Sequence, residues 1–206
     1  MLRNFDLESF AVKQVKNDPF VTFGDWFAEA EASEPNDPNA MILATASSEG
    51  KPAARTVLLK AWDNQGFVFY TNLESRKSQE LKQNPHAALL FYWKTLHRQV
   101  RIEGTISLVS DSQADEYYAS RPRGSQIGAW ASAQSKPLPD RETFETRYEE
   151  FEAKFPGDTI PRPPFWSGWR VTPTYLEFWQ DVKYRLHERT TYTRNENGWV
   201  IGKLYP

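Results

Sequence analysis

The chain has 206 residues, with 25 Lys and Arg against 27 Asp and Glu, no cysteine, and 15% aromatic residues including 8 Trp. That length supports a sizeable core, and the near-balanced charge excludes the extended positive field that grips a nucleic-acid backbone or an anionic membrane, so any bound anion is small and locally held. Without cysteine there are no disulfides, thiolate metal sites or cysteine nucleophiles.

The N-terminal stretch MLRNFDLESFAVKQVKNDPF lacks the apolar run of a signal peptide, and no later segment approaches the ~20 apolar residues of a membrane span. The expectation is a cytoplasmic protein of one domain over 1–206, with an N-terminal arm at 1–17. Asp18-Pro19 then marks a helix start, an N-cap followed by proline at the first helical position, and Phe20, Phe23, Phe27 and Ala30 recur at helical spacing. After the polar SEPNDPNA come three β-rich runs, MILATAS, RTVLLKAW and FVFYTNL, separated by the turn chemistries SEGKP and DNQG. Ser75 caps a short helix in SRKSQELKQNP that stops before Pro85, and AALLFYW and RQVRIEGTISLV are strands joined by KTLH.

Ser110 with Gln113 three residues on is a capping-box pattern, and the helix it opens ends near Arg121 because Pro122 disfavours α geometry before it. Phe144, Tyr148, Phe151 and Phe155 form a helical stripe expected to pack in a core. PGDTIPRPP is a stiff connection. The chain closes with the β-rich GWRVTP, TYLEFWQ, YRLHERTTYTR and GWVIGKLYP, the last two joined by the hairpin signal Asn197-Gly198. Adjacent strands with few intervening helices exclude a parallel βαβ sheet and predict a mainly β fold with flanking helices, an antiparallel barrel or sandwich. No Gly-rich dinucleotide fingerprint or P-loop follows any strand.

Three places gather chemistry. Ser75, Arg76 and Lys77 put a hydroxyl, two cations and free backbone N–H groups at one helix start, which suits either a phosphate or a solvated helix end. Tyr117 and Arg121 share a helix face with Ser125 just beyond the proline, a second arrangement that suits a phosphate; surface stacking of the tyrosine on the arginine fits the spacing equally. Arg185, His187 and Arg189 are two apart, so on a strand they share a face, either solvated or turned to an anionic planar partner. Arg55 and Lys60 are five apart and fall on opposite faces of an ideal strand, unless a bulge or strand end intervenes. His86 and His97 have no second ligand at metal spacing, arginines beside His187 disfavour a cation, and no serine-base or paired-carboxylate arrangement supports hydrolysis. What is left is binding of a phosphorylated, planar, anionic molecule.

These motifs resemble those of the pyridoxamine/pyridoxine 5′-phosphate oxidases. LEFWQDVKYRLHER carries the defining positions of that family's C-terminal pattern, Glu177, Trp179, Gln180, Arg185, His187 and Arg189, and RTVLLK, FYTNLESRK, RQVRIEG and SRPRGSQIGAW follow in the family's order from about Asp18 onward. The resemblance implies an FMN-binding antiparallel split β-barrel that works as a homodimer, with FMN in the interface and contacted by both chains. The FMN contacts it implies are Arg55, Thr56, Val57, Leu58, Leu59, Lys60, Tyr70, Thr71, Ser75, Arg76, Lys77, Gln99, Gln134, Ser135, Trp179 and Arg189. It assigns the substrate phosphate to Lys60, Tyr117, Arg121 and Ser125, and puts Arg185 and His187 over the substrate ring as the catalytic pair. The reaction implied is oxidation of pyridoxamine or pyridoxine 5′-phosphate to pyridoxal 5′-phosphate, with electrons passing through FMN to O₂ and hydrogen peroxide released. Two departures stand out: the arm before Asp18 lacks the Arg- and Tyr-containing segment that covers the substrate in longer members, and Lys203 stands where the family usually has arginine. The nearest rival is another FMN oxidase of the superfamily, such as those of phenazine biosynthesis, which would not need the phosphate residues of SRPRGSQIGAW; a flavin- or pyridoxal-phosphate-binding module without turnover is a further one.

Overall fold

The computed structural model describes residues 12–206; residues 1–11 of the predicted arm lie outside the described residues. Asp18 caps the first helix, α1 (Pro19–Ser33), by accepting the Phe20 N–H at 2.7 Å. The buried stripe of α1 is Phe20, Phe23, Trp26 and Ala30, so the larger indole, not Phe27, takes the core position at that turn. Trp26 lies edge-on to Phe178 at 5.1 Å and under the Arg98 guanidinium at 4.8 Å, while Phe27 is half-buried and stacks on Phe23.

The strands are β1 (Ala40–Ala46), β2 (Pro52–Leu58), β3 (Ala61–Asp63), β4 (Gly66–Asn72), β5 (His86–Trp93), β6 (Arg98–Leu108), β7 (Trp166–Gln180), β8 (Glu188–Asn195) and β9 (Gly198–Lys203). All pair antiparallel in one nine-stranded sheet of order β2-β1-β5-β6-β7-β4-β3, with β8 and β9 joined to β7. The two ends of that path, β2 and β3, are separated in the chain only by Leu59 and Lys60, so the sheet curls back on itself. β7 organises the rest. One edge pairs with β6 from Trp169 to Gln180, whereas the other pairs with β4 over Trp166–Asn72 to Val171–Phe67 and with β8 over Tyr175–Thr193 to Gln180–Glu188, which splits the barrel. A bulge at Glu103/Gly104 bends this region, and a Cβ on Gly104 would sit 2.1 Å from the Thr172 carbonyl oxygen, so no larger residue fits. The antiparallel split barrel flanked by helices is therefore the observed fold.

Alternation along the strands sorts the sheet into two faces. Met41, Leu43, Leu89, Phe91, Val100, Ile102, Leu176 and Phe178 are buried inside the barrel with α1. By register, the opposite face carries Thr56 beside Ile42, Leu90 beside Arg101, Arg101 beside Glu177, and Gln99 beside Trp179 and Arg189. Ile42, Leu58 and Tyr92 on this face are exposed to 41%, 37% and 56%, which is apolar surface left uncovered in one chain.

The remaining helices are α2 (Arg76–Gln83), α3 (Asp111–Ser120), α4 (Arg123–Ala131) and α5 (Arg141–Lys154). No residue of α5 is fully buried, but Tyr148, Phe151 and Phe155 pack half-buried against a satellite core of Tyr118, Ile127, Ile160 and Trp166. No helix among the described residues is long and apolar enough to cross a membrane.

Three predicted elements differ. GWRVTP and TYLEFWQ are one continuous strand, β7, with Pro173 accommodated opposite the bulge. YRLHERTTYTR is not one strand. Gln180 pairs with Glu188, so the chain must reverse between them, and residues 181–187 form the connecting loop, with a 3₁₀ turn at Lys183–Arg185 and positive φ at Tyr184 and Arg185. Strand alternation therefore does not place Arg185 and His187 on a common face with Arg189. In the last hairpin Asn195 pairs with Gly198, so Glu196 and Asn197 are the central residues of the turn and the Asn197-Gly198 signal is displaced by one.

Candidate active site

A cavity of about 450 Å³ opens where the ends of β2 and β4 meet α2, α3 and α4. Thr56, Val57, Leu58 and Lys60 line it from β2 and the link to β3; Tyr70, Thr71 and Asn72 from β4; Lys77 from α2; Tyr117 and Arg121 from the end of α3; and Ser125 from the first turn of α4, with Gln134 and Trp166 completing the wall. β2 ends at Leu58, so Lys60 turns into the cavity while Arg55 does not: the strand end separates the two cations.

One wall is aromatic. Tyr70 stacks on Tyr117 with centroids 4.0 Å apart and on Trp166 at 5.3 Å, the rings within 19° of parallel. The Arg121 guanidinium lies 4.9 Å from the Trp166 centroid, and its Nη1 is buried with no hydrogen-bond partner among the described residues. Burial lowers the Arg121 pKa from the usual arginine value, with Tyr117 and Tyr118 opposing, yet a guanidinium keeps its proton. Trp166 thus holds by its π face a cation that lacks an anion.

Lys77 is the second cation. Its Nζ donates to Thr71 Oγ1 at 3.1 Å, Gln134 Oε1 at 3.0 Å and Ser75 Oγ at 3.3 Å, all neutral acceptors. Burial, and then the Arg55 charge, lower its pKa to about 8. Ser75 does sit at the N-cap of α2, but its hydroxyl donates to the Asn72 carbonyl at 2.7 Å and caps no first-turn N–H, which leaves those donors uncapped by its side chain.

Behind this helix start lies a carboxylate that sequence reasoning missed. Glu80 is buried and accepts from Thr45 Oγ1 at 2.5 Å, Arg55 Nη2 at 3.0 Å and Arg76 Nε at 2.8 Å. Burial alone would raise its pKa, but the bonds from Thr45, Arg76 and Arg55 outweigh that and lower it. The i,i+4 spacing of Arg76 and Glu80 was a legible signal; the reach of Glu80 to Arg55 across β2 was not. Trp166 is a second omission, and only the fold brings it to Arg121.

Of the predicted flavin contacts, Thr56, Val57, Leu58, Lys60, Tyr70, Thr71, Lys77 and Gln134 line the cavity, as do all four predicted phosphate ligands, Lys60, Tyr117, Arg121 and Ser125. Arg55, Ser75 and Arg76 stand behind the lining around Glu80 and Asn72, Leu59 is core, and Ser135 is exposed at positive φ next to Gln134. The structure of one chain does not bring Gln99, Trp179, Arg185, His187 and Arg189 to this cavity. Gln99, Trp179 and Arg189 are on the outer sheet face and Arg185 and His187 in the 181–187 loop, and a second cavity of about 600 Å³ is bounded by residues 186–189 and 203–206. There Arg189 donates to Glu177 Oε1 at 2.7 Å and to the Tyr205 carbonyl at 3.0 Å, and the His187 ring lies 4.7 Å from Trp179. Glu177 is buried. Burial raises its pKa, but hydrogen bonds from Arg189 and Arg101 prevail and lower it. Lys203 pairs with Glu188 at 2.8 Å.

A split antiparallel barrel with a cation-bearing cavity at the ends of β2 and β4 is the architecture of the FMN-binding split-barrel class. Over 93% of this chain and 94% of the other, it superposes with a TM-score of 0.88 at 33% identity on PhzG from Burkholderia lata 383, solved in complex with tetrahydrophenazine-1-carboxylic acid. It shares its fold, at a TM-score of 0.73 and 17% identity, with a pyridoxamine 5′-phosphate oxidase-related, FMN binding protein from Nostoc punctiforme, covering 93% of this chain and 100% of that one.

Residues 27–155 match the family described as pyridoxamine 5′-phosphate oxidase, and residues 166–206 match the pyridoxine 5′-phosphate oxidase C-terminal dimerisation region. The chain is 60% identical over 193 residues to a pyridoxine/pyridoxamine 5′-phosphate oxidase of Sphingopyxis alaskensis, covering 94% of this chain and 89% of that one. It is 57% identical over 192 residues to one of Gluconobacter oxydans, covering 93% and 96%. The chain belongs to the pyridoxamine 5′-phosphate oxidase family.

Proposed function

We propose that the protein oxidises pyridoxamine and pyridoxine 5′-phosphates to pyridoxal 5′-phosphate, with FMN as its cofactor and O₂ as acceptor, releasing hydrogen peroxide. The observation that carries this reading is the buried, unpartnered Arg121 Nη1 in a cavity it shares with Lys60, Tyr117 and Ser125, together with Lys77, whose acceptors are all neutral. Cations held without carboxylates are donors waiting for anions, and two such groups fit two phosphorylated molecules, FMN and substrate.

FMN, when bound, supplies the two-electron chemistry. Lys77 and the uncapped first turn of α2, backed by Arg55, Arg76 and Glu80, would hold its phosphate; Thr56, Leu58 and Tyr70 would line its place. Arg121, Lys60, the Tyr117 hydroxyl and Ser125 would hold the substrate phosphate and so set the distance of the 4′ carbon from the flavin. Arg185 and His187 would close over the substrate ring, and Gln99, Trp179 and Arg189 would complete the flavin site. One chain keeps these two sets apart, and Ile42, Leu58 and Tyr92 stand exposed on the outer sheet face. Two-fold pairing of that face with a second copy buries the apolar residues and carries each copy's C-terminal set toward the other's cavity, which makes a homodimer part of the site.

The phosphate ligands favour vitamin B6 phosphates over a phenazine precursor, whose carboxylic acid has no phosphate for Arg121 and Ser125. The test is to purify the protein, record its flavin absorbance and add pyridoxine 5′-phosphate in air. Equimolar pyridoxal 5′-phosphate and peroxide are expected; flavin-loaded protein that forms neither would exclude the oxidase.

A further inference from the structure

Asp181 is the first residue after β7, and no motif singled it out. Its Oδ1 lies 2.8 Å from His187 Nδ1, across the 181–187 loop. Its Oδ2 is 3.8 Å from Nδ1 of His97 in the β5–β6 connection, and its own N–H donates to the His97 carbonyl at 3.0 Å. The carboxylate is thereby anchored to a neighbouring hairpin while it faces the imidazole, whose ring rests on Trp179 at 4.7 Å.

Two groups compete for His187 Nδ1. The Val182 N–H approaches it at 3.4 Å, which would require a lone pair there, whereas the Asp181 carboxylate at 2.8 Å requires a proton. The shorter, charge-assisted contact decides that Nδ1 carries a proton, which in the neutral ring leaves the lone pair on Nε2. The other charged groups around this ring are already engaged, Lys203 with Glu188 and Arg189 with Glu177.

The geometry points to Asp181 as a positioning residue for His187, fixing its tautomer and ring orientation so that Nε2 is presented as an acceptor to the 4′ substituent of the substrate. This rests on the reading above that His187 meets the substrate. In the step so served, the C4′–H bond breaks with its electron pair passing to the flavin, C4′=O forms from the hydroxyl oxygen, and the hydroxyl proton passes to Nε2. The imidazolium that results is stabilised by Asp181 through the Nδ1–H it already holds.

The test compares Asp181→Ala, Asp181→Asn and His187→Asn in the flavin-loaded dimer. Asp181→Ala is expected to lower kcat for pyridoxine 5′-phosphate about 10- to 100-fold with KM changed less than about threefold, because a lost acceptor slows the chemical step and leaves the phosphate anchors intact. Asp181→Asn keeps an oxygen for the Nδ1–H but not the charge that stabilises the imidazolium, and is expected to recover kcat only in part. A readout independent of turnover is ¹⁵N NMR of histidine-labelled protein: the chain has 3 His, so the His187 signals are assignable by substitution. The neutral ring of His187 should carry its proton on Nδ1 and shift toward the Nε2-protonated form in Asp181→Ala. Wild-type kcat in Asp181→Ala, or an Nε2-protonated His187 in the unsubstituted protein, overturns the inference. Slow His187→Asn beside normal Asp181→Ala sinks the role of Asp181 alone, whereas normal turnover in His187→Asn sinks the underlying reading as well.

Discussion

Replacing Glu80 with alanine probes the scaffold behind the proposed flavin-phosphate site. The Glu80 side chain is 9% exposed and that of Arg55 21%, so the substitution strands a largely buried guanidinium. Breaking a fully buried pair costs about 3–5 kcal/mol; Arg55 regains some water and keeps the Leu43 carbonyl and Thr45 Oγ1 as acceptors, which brings the expected cost to about 2–3 kcal/mol. Arg76 adds little, since its side chain is 68% exposed. At about 2–4 °C per kcal/mol for a chain of this size, Tm should fall by about 4–12 °C at pH 7, with Glu80→Gln intermediate because one acceptor survives. The deficit has a pH signature. The carboxyl pKa of Glu80 is held below its usual value, so its contribution is complete above the ordinary carboxylate range and disappears as the pH falls through the lowered pKa. The difference in Tm between the two proteins should therefore shrink in acid. Thermal unfolding of the flavin-free protein followed by circular dichroism measures this; a change of less than about 1 °C at pH 7 would refute the assignment of Glu80 as the organising carboxylate.

Other substitutions divide the site by role. Arg185→Ala should lower kcat/KM by about 100-fold while the purified protein retains its flavin, and loss of flavin would contradict a substrate-facing role. Arg121→Ala removes charged hydrogen bonds worth about 1.5–3 kcal/mol each and should raise KM for pyridoxine 5′-phosphate by at least about tenfold without releasing FMN; an unchanged KM would place the substrate phosphate elsewhere. Because the Lys77 pKa is lowered to about 8 and only its cationic form attracts a phosphate, FMN affinity should be flat between about pH 7, above the second phosphate pKa of about 6, and about pH 8 and weaken beyond it, with Lys77→Ala abolishing that upper step in a fluorescence titration. Ile42→Lys, at an exposed position of one chain, should leave the fold intact yet give a monomer that loses FMN in sedimentation experiments; a flavin-bearing dimer would exclude that sheet face as the interface.

Local chemistry was legible wherever it decided the structure: the Asp18 and Ser110 caps, the stop before Pro122, and antiparallel strands joined by short turns all lie where spacing placed them. The grouping of Tyr117, Arg121 and Ser125 on one cavity wall was also legible, because they are close in sequence and the break at Pro122 only turns the chain once. What failed was the assumption that YRLHER continues as a strand. Its cations obey a period of two, but the reversal between Gln180 and Glu188 is a register property of β7 and β8 that no local pattern encodes. Glu80, Trp166 and Asp181 escaped for the same reason. Each acts on a partner fixed by tertiary packing, Arg55 across 25 residues and Arg121 across 45, and even the short step from Asp181 to His187 needs a loop with Tyr184 and Arg185 at positive φ.

The most direct test of the account is anaerobic. When the flavin-loaded dimer is mixed with one equivalent of pyridoxine 5′-phosphate without O₂, the oxidised-flavin absorbance should bleach with stoichiometric formation of pyridoxal 5′-phosphate, and unphosphorylated pyridoxine at the same concentration should bleach it far more slowly. Flavin that stays oxidised with the phosphorylated substrate, or reduction equally fast with and without the phosphate, would contradict the reading of this cavity.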